Sequence, residues 1–590
     1  MAESIAVLDY GGQYVQNIAR AFREMAIPAH ILSPGCSTSD LPKVRGIVLS
    51  GGPYSVYRAG SPSVDGSILD SGVPVLGLCY GHQLIAEFFG GVVHGGKVGE
   101  YGFAEIRIEA GNPLFDGVDG PQIVWMSHGD QVAELPDGFI SLAWTPGCPN
   151  AAICHRQRPI YGLQFHPEVS HTPNGWTMLR NFAREICGLQ IGSWDPESYL
   201  DERVEWIRET VGDRKALVAV SGGVDSTVVA TLARRALGDQ LLTVHVDHGL
   251  MREDESSWVL SKLAEIGLET ELCEESDLFL EELRGVGEGD AKRKKIGELF
   301  IETFQDVADA NDIDILIQGT IAPDSIESSR GMASGRDGSD HGGMIKLHHN
   351  VGGLPDEMWI EVLEPIKDLF KYQVRMLGRA LGVPADLLER QPFPGPGLAV
   401  RISGPVTPTR LEVVRGATVL VEEGLREYDP DQFLVYAIDD GGTEHPVAES
   451  LTERILGGGI DVEARIHDDI AVGVKGDERQ LGRIISLSVS RGGEACWDSY
   501  GWLDLLRLQS AITGEIPDAC RVVATLAASD SDGSGAVVRA VETRDFMTAM
   551  PCRLPFTRLY ILGEQLTSLP GISSAYYEIT TKPSATIELE

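Results

Sequence analysis

The chain opens with short apolar runs that alternate with amphipathic stretches. Residues 5–8, 46–49 and 73–78 read as strands, and 14–25 as an amphipathic helix. Such alternation predicts a parallel or mostly parallel sheet with helices on its faces. Residues 160–165 add a strand, a helix after Gly175 ends near Cys187-Gly188, and the Gly-, Ser- and Pro-containing stretch 188–196 reads as a linker. A second alternation follows: a helix from about 196 to 211, a strand at 217–220, a helix at 226–237 and a strand at 241–246. Residues 329–357 are rich in Gly, Ser and His without apolar periodicity, the mark of a lid more than of a spacer. PFPGPG at 392–397 can be neither helix nor central strand and marks a hinge or boundary. The predicted class is α/β: two successive domains with mostly parallel sheets, 1–190 and 191–397, then a smaller α+β domain over 398–590.

Length and charge narrow the function. With 590 residues the chain needs several hydrophobic cores. Its 49 basic against 87 acidic side chains give a net charge of −38, a field that repels phosphate backbones and anionic lipid. Neither nucleic acid nor a membrane surface is expected as a partner, and an anionic ligand must be held locally. The 9 Cys are scattered and include no CxxC pair, which argues against a disulfide framework or a zinc cage. The start lacks the pattern of a signal peptide and no apolar run is long enough to span a bilayer, so a cytoplasmic protein is expected. The acidic excess fits either a salt-rich cytoplasm or a GC-rich genome.

Two motifs carry chemistry. The apolar strand ending at Leu78 runs into Cys79-Tyr-Gly-His-Gln83 and a helical pattern, with Gly77 and Gly81 on either side. A sharp strand-to-helix turn exposes the side chain at its apex, and the helix N-terminus behind it favours negative charge on the sulfur and later on an oxyanion. A lone cysteine would read as a small buried hydrophobe; Phe165-His166-Pro167-Glu168 changes that. Positions two apart in an extended chain face one side, so His166 and Glu168 align as base and orienting acid. Ser50-Gly51-Gly52-Pro53 supplies a turn where backbone N–H groups can approach an oxyanion. The second motif is Ser221-Gly-Gly-Val-Asp-Ser226 after an apolar strand and before a helix, a nest for a phosphate. It is not a Walker loop, since GxxxxGK[ST] is missing.

The first motif set, Gly77-x-Cys79-x-Gly81-x-Gln83 with His166-Pro-Glu168, resembles the class I glutamine amidotransferases over roughly residues 4–188. The resemblance implies Cys79 as nucleophile, His166 as proton carrier and Glu168 as its holder. It also implies the N–H groups of Gly52 and Tyr80 as oxyanion hole, and Gln83, Ser127, His128 and Asp130 as glutamine-binding residues. His128 and Asp130 read alternatively as a loop-capping pair, and His82 as a packing residue. The second motif resembles the phosphate loop of N-type ATP pyrophosphatases. This implies ATP held by Ser221, Gly222, Gly223, Val224, Asp225 and Ser226, adenine beside Val246, Mg²⁺ on Asp225, and Lys367 as a phosphate contact or else a solvated lysine.

Lys292-Arg-Lys-Lys295 is the densest positive charge in the chain and by itself reads as a solvated helix face. With its surroundings at 290–297, and with segments 318–328, 346–355, 390–397 and 582–588, it is similar to the family of glutamine-hydrolysing GMP synthetases. That resemblance implies amination of XMP through an adenylyl intermediate, XMP held by Arg293, Asp477, Lys582, Ile587 and Glu588, and a homodimer through the C-terminal domain. Mg²⁺ with ATP is the implied cofactor, with no organic prosthetic group. His348-His349 fits a lid over ATP better than a metal site. Three departures stand out: Leu589 replaces the family's usual Trp, Ser584 stands where Pro is common, and an insertion occupies about 480–536. The alternatives are an amidotransferase with a different acid or keto acceptor, and a non-catalytic nucleotide scaffold.

Overall fold

The computed structural model describes residues 3–109, 111–169, 171–192, 194–321, 360–475, 478–529, 531–543, 548–582 and 584–590. The expected lid at 329–357, with His348 and His349, and the XMP candidate Asp477 lie outside the described residues. The chain forms two compact units, one spanning Met1–Trp194 and the other drawn from residues 195–475, 479–543 and 549–590. Among the described residues no helix is long and apolar enough to cross a membrane.

The first unit is built on a nine-stranded sheet. Ala29–Leu32, Ser4–Leu8, Val44–Leu49, Val75–Leu78 and Ile160–Leu163 lie side by side in that order, all parallel. The remaining strands continue the sheet in antiparallel fashion. Ser4–Leu8 and Val75–Leu78 are buried along their whole length, the expected state of parallel strands covered on both faces. The helix Val15–Glu24 buries Val15, Ile18, Ala19 and Phe22, the apolar stripe that its spacing predicts. The helix after Gly175 is α only to Asn181 and passes into a π-helical turn, Phe182–Ile186.

The second unit begins with the helix Pro196–Val211, which Asp195 caps through Glu197 N and which ends at Gly212, φ +60°. Its five-stranded sheet is parallel throughout, in the order Thr270–Glu274, Leu241–Asp247, Ala216–Ala219, Ile315–Ile317, Glu361–Leu363. The chain therefore leaves Ala216–Ala219 first to one side and later to the other. Such a switch point opens a crevice at the strand's C-terminal end, where the Ser221–Ser226 loop begins.

The third sheet has ten strands, and the PFPGPG run leads into its core. Gly397–Arg401 is a fully buried 3₁₀ turn, and one apolar cluster joins Val246, Leu250 and Phe279 to Leu398, Val435 and Tyr577. Residues 191–397 and 398–590 thus share a core. The stretch 480–536 is sheet interior: Ala519–Ala528 pairs in parallel with Glu478–Arg491 and antiparallel with Ile572–Glu578, while Trp502–Glu515 is a helix packed against it.

Candidate functional site

In the first unit the C-terminal ends of four neighbouring parallel strands converge. Ser4–Leu8 leads to Gly12, Val44–Leu49 to Gly51 and Gly52, Val75–Leu78 to Cys79, and Ile160–Leu163 to His166. Gly12, Gly51, Gly52, Cys79, Ser127, His166 and Glu168 line one cavity. Cys79 has φ +51° and ψ −102°, a left-handed conformation that only a well-braced turn imposes on a side-chain-bearing residue. The bracing is on both sides: Cys79 N donates to Leu163 O at 2.7 Å, and Cys79 O accepts from Gln83 N at 3.2 Å. The flanking glycines are sterically required. A Cβ on Gly81 would lie 2.3 Å from Leu49 O, and one on Gly77 2.4 Å from Gly81 O.

His166 and Glu168 meet as the two-residue spacing predicts, with Nδ1 and Oε1 2.7 Å apart. The His166 main chain is fixed at both ends, its N donating to Trp125 O at 3.0 Å and its O accepting from Thr172 Oγ1 at 2.6 Å. Burial lowers the imidazole pKa, but the Glu168 carboxylate and the hydrogen bond to the Cys79 side chain outweigh it and raise it to about 10. The ring is thus equipped to carry a proton to a leaving amine. Tyr80 is the first residue of the helix Tyr80–Phe88, where N–H groups have no intrahelical acceptor. On the other side a Cβ on Gly52 would lie 2.5 Å from Tyr10 O, so only glycine lets this turn close against the strand end.

Of the glutamine-binding candidates, Ser127 lies against the same sulfur and the others are linked to one another. Cys79 Sγ lies 3.6 Å from Ser127 O, and Gln83 Nε2 donates to Asp130 O at 2.8 Å. His128 turns toward protein groups: Nδ1 is 3.0 Å from Asp130 O and Nε2 3.4 Å from the Glu100 carboxylate. Asp130 accepts from Tyr57 OH at 2.8 Å. Gln164, 3.7 Å from Cys79 Sγ and 3.3 Å from Gln83 Nε2, is a neighbour that motif reading misses, although it stands two residues before His166 on the same strand end. His82 is fully buried, and burial pushes its pKa down to about 3, as befits a neutral packing residue.

In the second unit the Ser221–Ser226 loop has the form of a nest. Gly222 has φ +77°, and a Cβ there would lie 2.3 Å from Val259. Ser221 Oγ and Ser226 Oγ are 3.2 Å apart, and Ser226 Oγ and Thr227 Oγ1 both donate to Gly223 O. Val224 begins the helix Val224–Leu237, whose first N–H groups face the loop. Val246 is buried near the end of the adjacent strand. Lys367 is exposed in a turn, whereas Lys371, the first residue of the next helix, meets Asp225 Oδ2 at 2.7 Å. The cation on Asp225 is therefore Lys371, four residues beyond Lys367. Asp225 Oδ1 is buried without a hydrogen-bond partner among the described residues, a carboxylate oxygen of the kind a hard divalent cation takes. Arg390 braces the loop through Gly222 O at 3.3 Å and stacks over Trp258 at 4.4 Å.

The XMP candidates other than Asp477 lie on the chain's last residues and on the helix Gly289–Asn311. Arg293 donates to the backbone O of Glu590, and Arg401 holds the Glu588 carboxylate with two bonds of 2.9 Å. Ile587 is buried, and Lys582 exchanges main-chain bonds of 2.8 and 3.0 Å with Ala549. Leu589, in place of the family's Trp, is fully buried. Neighbouring Lys292 is also fully buried, on Glu590 at 2.7 Å and Ile402 O at 2.5 Å. Part of the basic run is therefore core rather than solvated face.

A family model for class-I glutamine amidotransferases matches residues 6–186, one for the PP-loop domain matches 196–282, and one for the GMP synthase C-terminal domain matches 533–589. GMP synthase (glutamine-hydrolyzing) of Caldanaerobacter subterraneus subsp. tengcongensis is 39% identical over 593 residues, covering 100% of this chain and 99% of that one. The enzyme of the same name from Staphylococcus carnosus is 42% identical over 528 residues, 88% of this chain and 96% of its own. That from Yarrowia lipolytica is 37% identical over 603 residues, 100% and 98%. With a closed Cys-His-Glu relay in one unit and a phosphate nest at the switch point of the other, the chain belongs to the family of glutamine-hydrolysing GMP synthases.

Proposed function

We propose that the protein makes GMP from XMP, ATP and glutamine, releasing AMP, pyrophosphate and glutamate. The observation that carries this reading is the presence in one chain of the Cys79-His166-Glu168 relay and of the Ser221–Ser226 nest with Asp225. Cys79 Sγ attacks the side-chain amide carbon of glutamine, and the N–H groups of Gly52 and Tyr80 receive the oxyanion. His166 hands its proton to the departing ammonia, and Glu168 holds the ring in the orientation that allows it. Water, with His166 as base, then opens the glutamyl thioester. Gln83, Ser127, His128 and Asp130 shape the glutamine pocket.

In the ATP pyrophosphatase portion, residues 191–397, Ser221 to Ser226 grip the departing pyrophosphate and Val246 borders adenine. The C2 oxygen of XMP bonds to the α-phosphorus as pyrophosphate leaves. Ammonia then adds at C2 and AMP departs. Asp225 would hold Mg²⁺, which when bound neutralises the charge building on pyrophosphate. Lys371 keeps Asp225 oriented, and Lys367, exposed in its turn, contacts a phosphate. Arg293, Lys582, Ile587 and Glu588, with Asp477, complete the XMP pocket in the portion 398–590. The setting is the cytoplasm, and the portion 398–590 also carries a homodimer contact: sedimentation of the full chain by analytical ultracentrifugation should give the mass of two chains, and the mass of one would refute it.

The test is an acceptor screen with ATP, Mg²⁺ and glutamine. XMP alone among nucleotides and small acids should be aminated, with AMP and pyrophosphate formed in step with GMP. Formation of ADP would sink the adenylation route, and amination of another acceptor in place of XMP would reassign the substrate.

A further inference from the structure

Four cationic side chains hold the last five residues, Arg293 among them through the backbone O of Glu590. Arg401 grips the Glu588 carboxylate and Lys292 the Glu590 carboxylate. Arg521 reaches the main chain at more than one point. Its Nη2 lies within hydrogen-bonding distance of Thr586 Oγ1 (2.8 Å), Val472 O (3.2 Å), Leu589 O (3.4 Å) and Glu588 O. The acceptors on Thr586 and Glu588 stand on either side of Ile587. The guanidinium thus fixes the backbone around the two tail residues assigned to XMP.

Its other amino group faces the opposite way. Nη1 donates to both oxygens of Glu578, at 3.2 and 3.0 Å. Glu578 also receives Arg539 Nη1 and, at 2.8 Å, Tyr436 OH. Arg521, Arg539, Tyr436 and Glu578 are all essentially without solvent exposure. Glu578 therefore keeps a cation and a hydroxyl donor even without Arg521. The strand that delivers Arg521, Ala519–Ala528, belongs to the 480–536 stretch that the sequence sets apart as an insertion.

We infer that Arg521 is a positioning residue for the acceptor nucleotide: from the strand Ala519–Ala528 it clamps the backbone around Ile587 and Glu588 and so presets the XMP pocket. The inference rests on the reading that Lys582, Ile587 and Glu588 hold XMP. A planar fork is needed because one rigid group must face the Glu578 carboxylate and the tail carbonyls at once, which a lysine ammonium cannot do.

The experiment uses the full chain with Arg521→Lys, the milder Thr586→Val, and Lys582→Ala as a control on the underlying reading. Arg521→Lys should raise KM for XMP by about 10-fold or more, the scale of a misplaced binding group, and Thr586→Val should raise it by a smaller factor. KM for ATP and glutamine hydrolysis should stay at wild-type values, and amide hydrogen exchange over residues 586–590 should accelerate. If Lys582→Ala raises KM for XMP while both other variants leave it unchanged, Arg521 has no positioning role. If Lys582→Ala leaves it unchanged too, the tail is not the XMP site and the reading beneath the inference falls. A uniform loss of every activity together with a lower Tm in both Arg521→Lys and Thr586→Val would make Arg521 a scaffold residue only.

Discussion

The two halves of the chemistry are prepared in different ways. Around Cys79 the reacting groups project from the ends of adjacent strands in one sheet, and main-chain bonds fix them: Cys79 N on Leu163 O, His166 N on Trp125 O. Glu168 holds His166, which in turn faces the Cys79 side chain. On the nucleotide side the candidate groups come from segments far apart in sequence, and each is engaged with another part of the chain: Asp225 with Lys371, Glu588 with Arg401, Arg293 with Glu590. Glutamine is neutral overall and needs a preformed oxyanion site. ATP and XMP are polyanions in a chain of net charge −38, so the cations that would hold them must be gathered locally. One site is rigid by backbone geometry, the other by reciprocal charge.

Substitutions can break this contrast from either side. The largest effect is expected at Asp225, where alanine should lower GMP synthesis by about 10²–10³, the scale of one electrostatic group at a transition state, with glutamine or ammonium as nitrogen source. Glutamine hydrolysis should be untouched, and a loss there would erase the separation of the halves. Next is Glu168→Gln, which should slow glutamine hydrolysis by about 10² because the imidazole loses its anionic holder, while ammonium-dependent synthesis persists. Arg401→Lys should follow, raising KM for XMP by about 10-fold with kcat little changed, since lysine cannot reproduce the bidentate hold on Glu588. Equal shifts in KM for ATP and XMP would mean that the tail is not specific to the acceptor.

The last effect is on stability against pH rather than on rate. The folded pKa of His166, about 10, lies above the unfolded value of 6.5, so its contribution is full below pH 6.5 and is lost as pH rises through 10. Thermal melting followed from pH 6 to 10 should show Tm falling across that window in the wild type. Glu168→Gln removes the main cause of the raised pKa and should flatten the slope. Parallel slopes would show that the relay is not held by the charge on Glu168.

The same contrast explains what the sequence disclosed. Cys79, His166 and Glu168 sit in short motifs at strand ends, and a two-residue spacing in extended chain is enough to align the last two. The parallel strands of the first unit followed from alternation, with ends shifted by a residue or two. Contacts across long separations left no such trace. Lys371 meets Asp225 over 146 residues of chain, and nothing local favoured it over Lys367. The stretch 480–536 reads from sequence as an insertion, and since strand propensity does not name neighbours its place inside the sheet was not legible. A usable signal was present in single arginines within apolar runs, Arg521 in ACRVVAT and Arg539 in AVVRAV. A charge on a buried strand requires a buried partner, and Glu578, in the apolar YYEI, is the matching anion.

The central claim is that one half makes ammonia and the other consumes it. Cys79→Ala in the full chain, assayed with XMP, ATP and Mg²⁺, tests it most directly. Glutamine should support no GMP formation, while ammonium at high concentration should restore it to near the wild-type ammonium rate, with AMP and pyrophosphate as co-products. GMP formed from glutamine by this variant, or failure of ammonium to restore synthesis in a folded protein, would contradict the account.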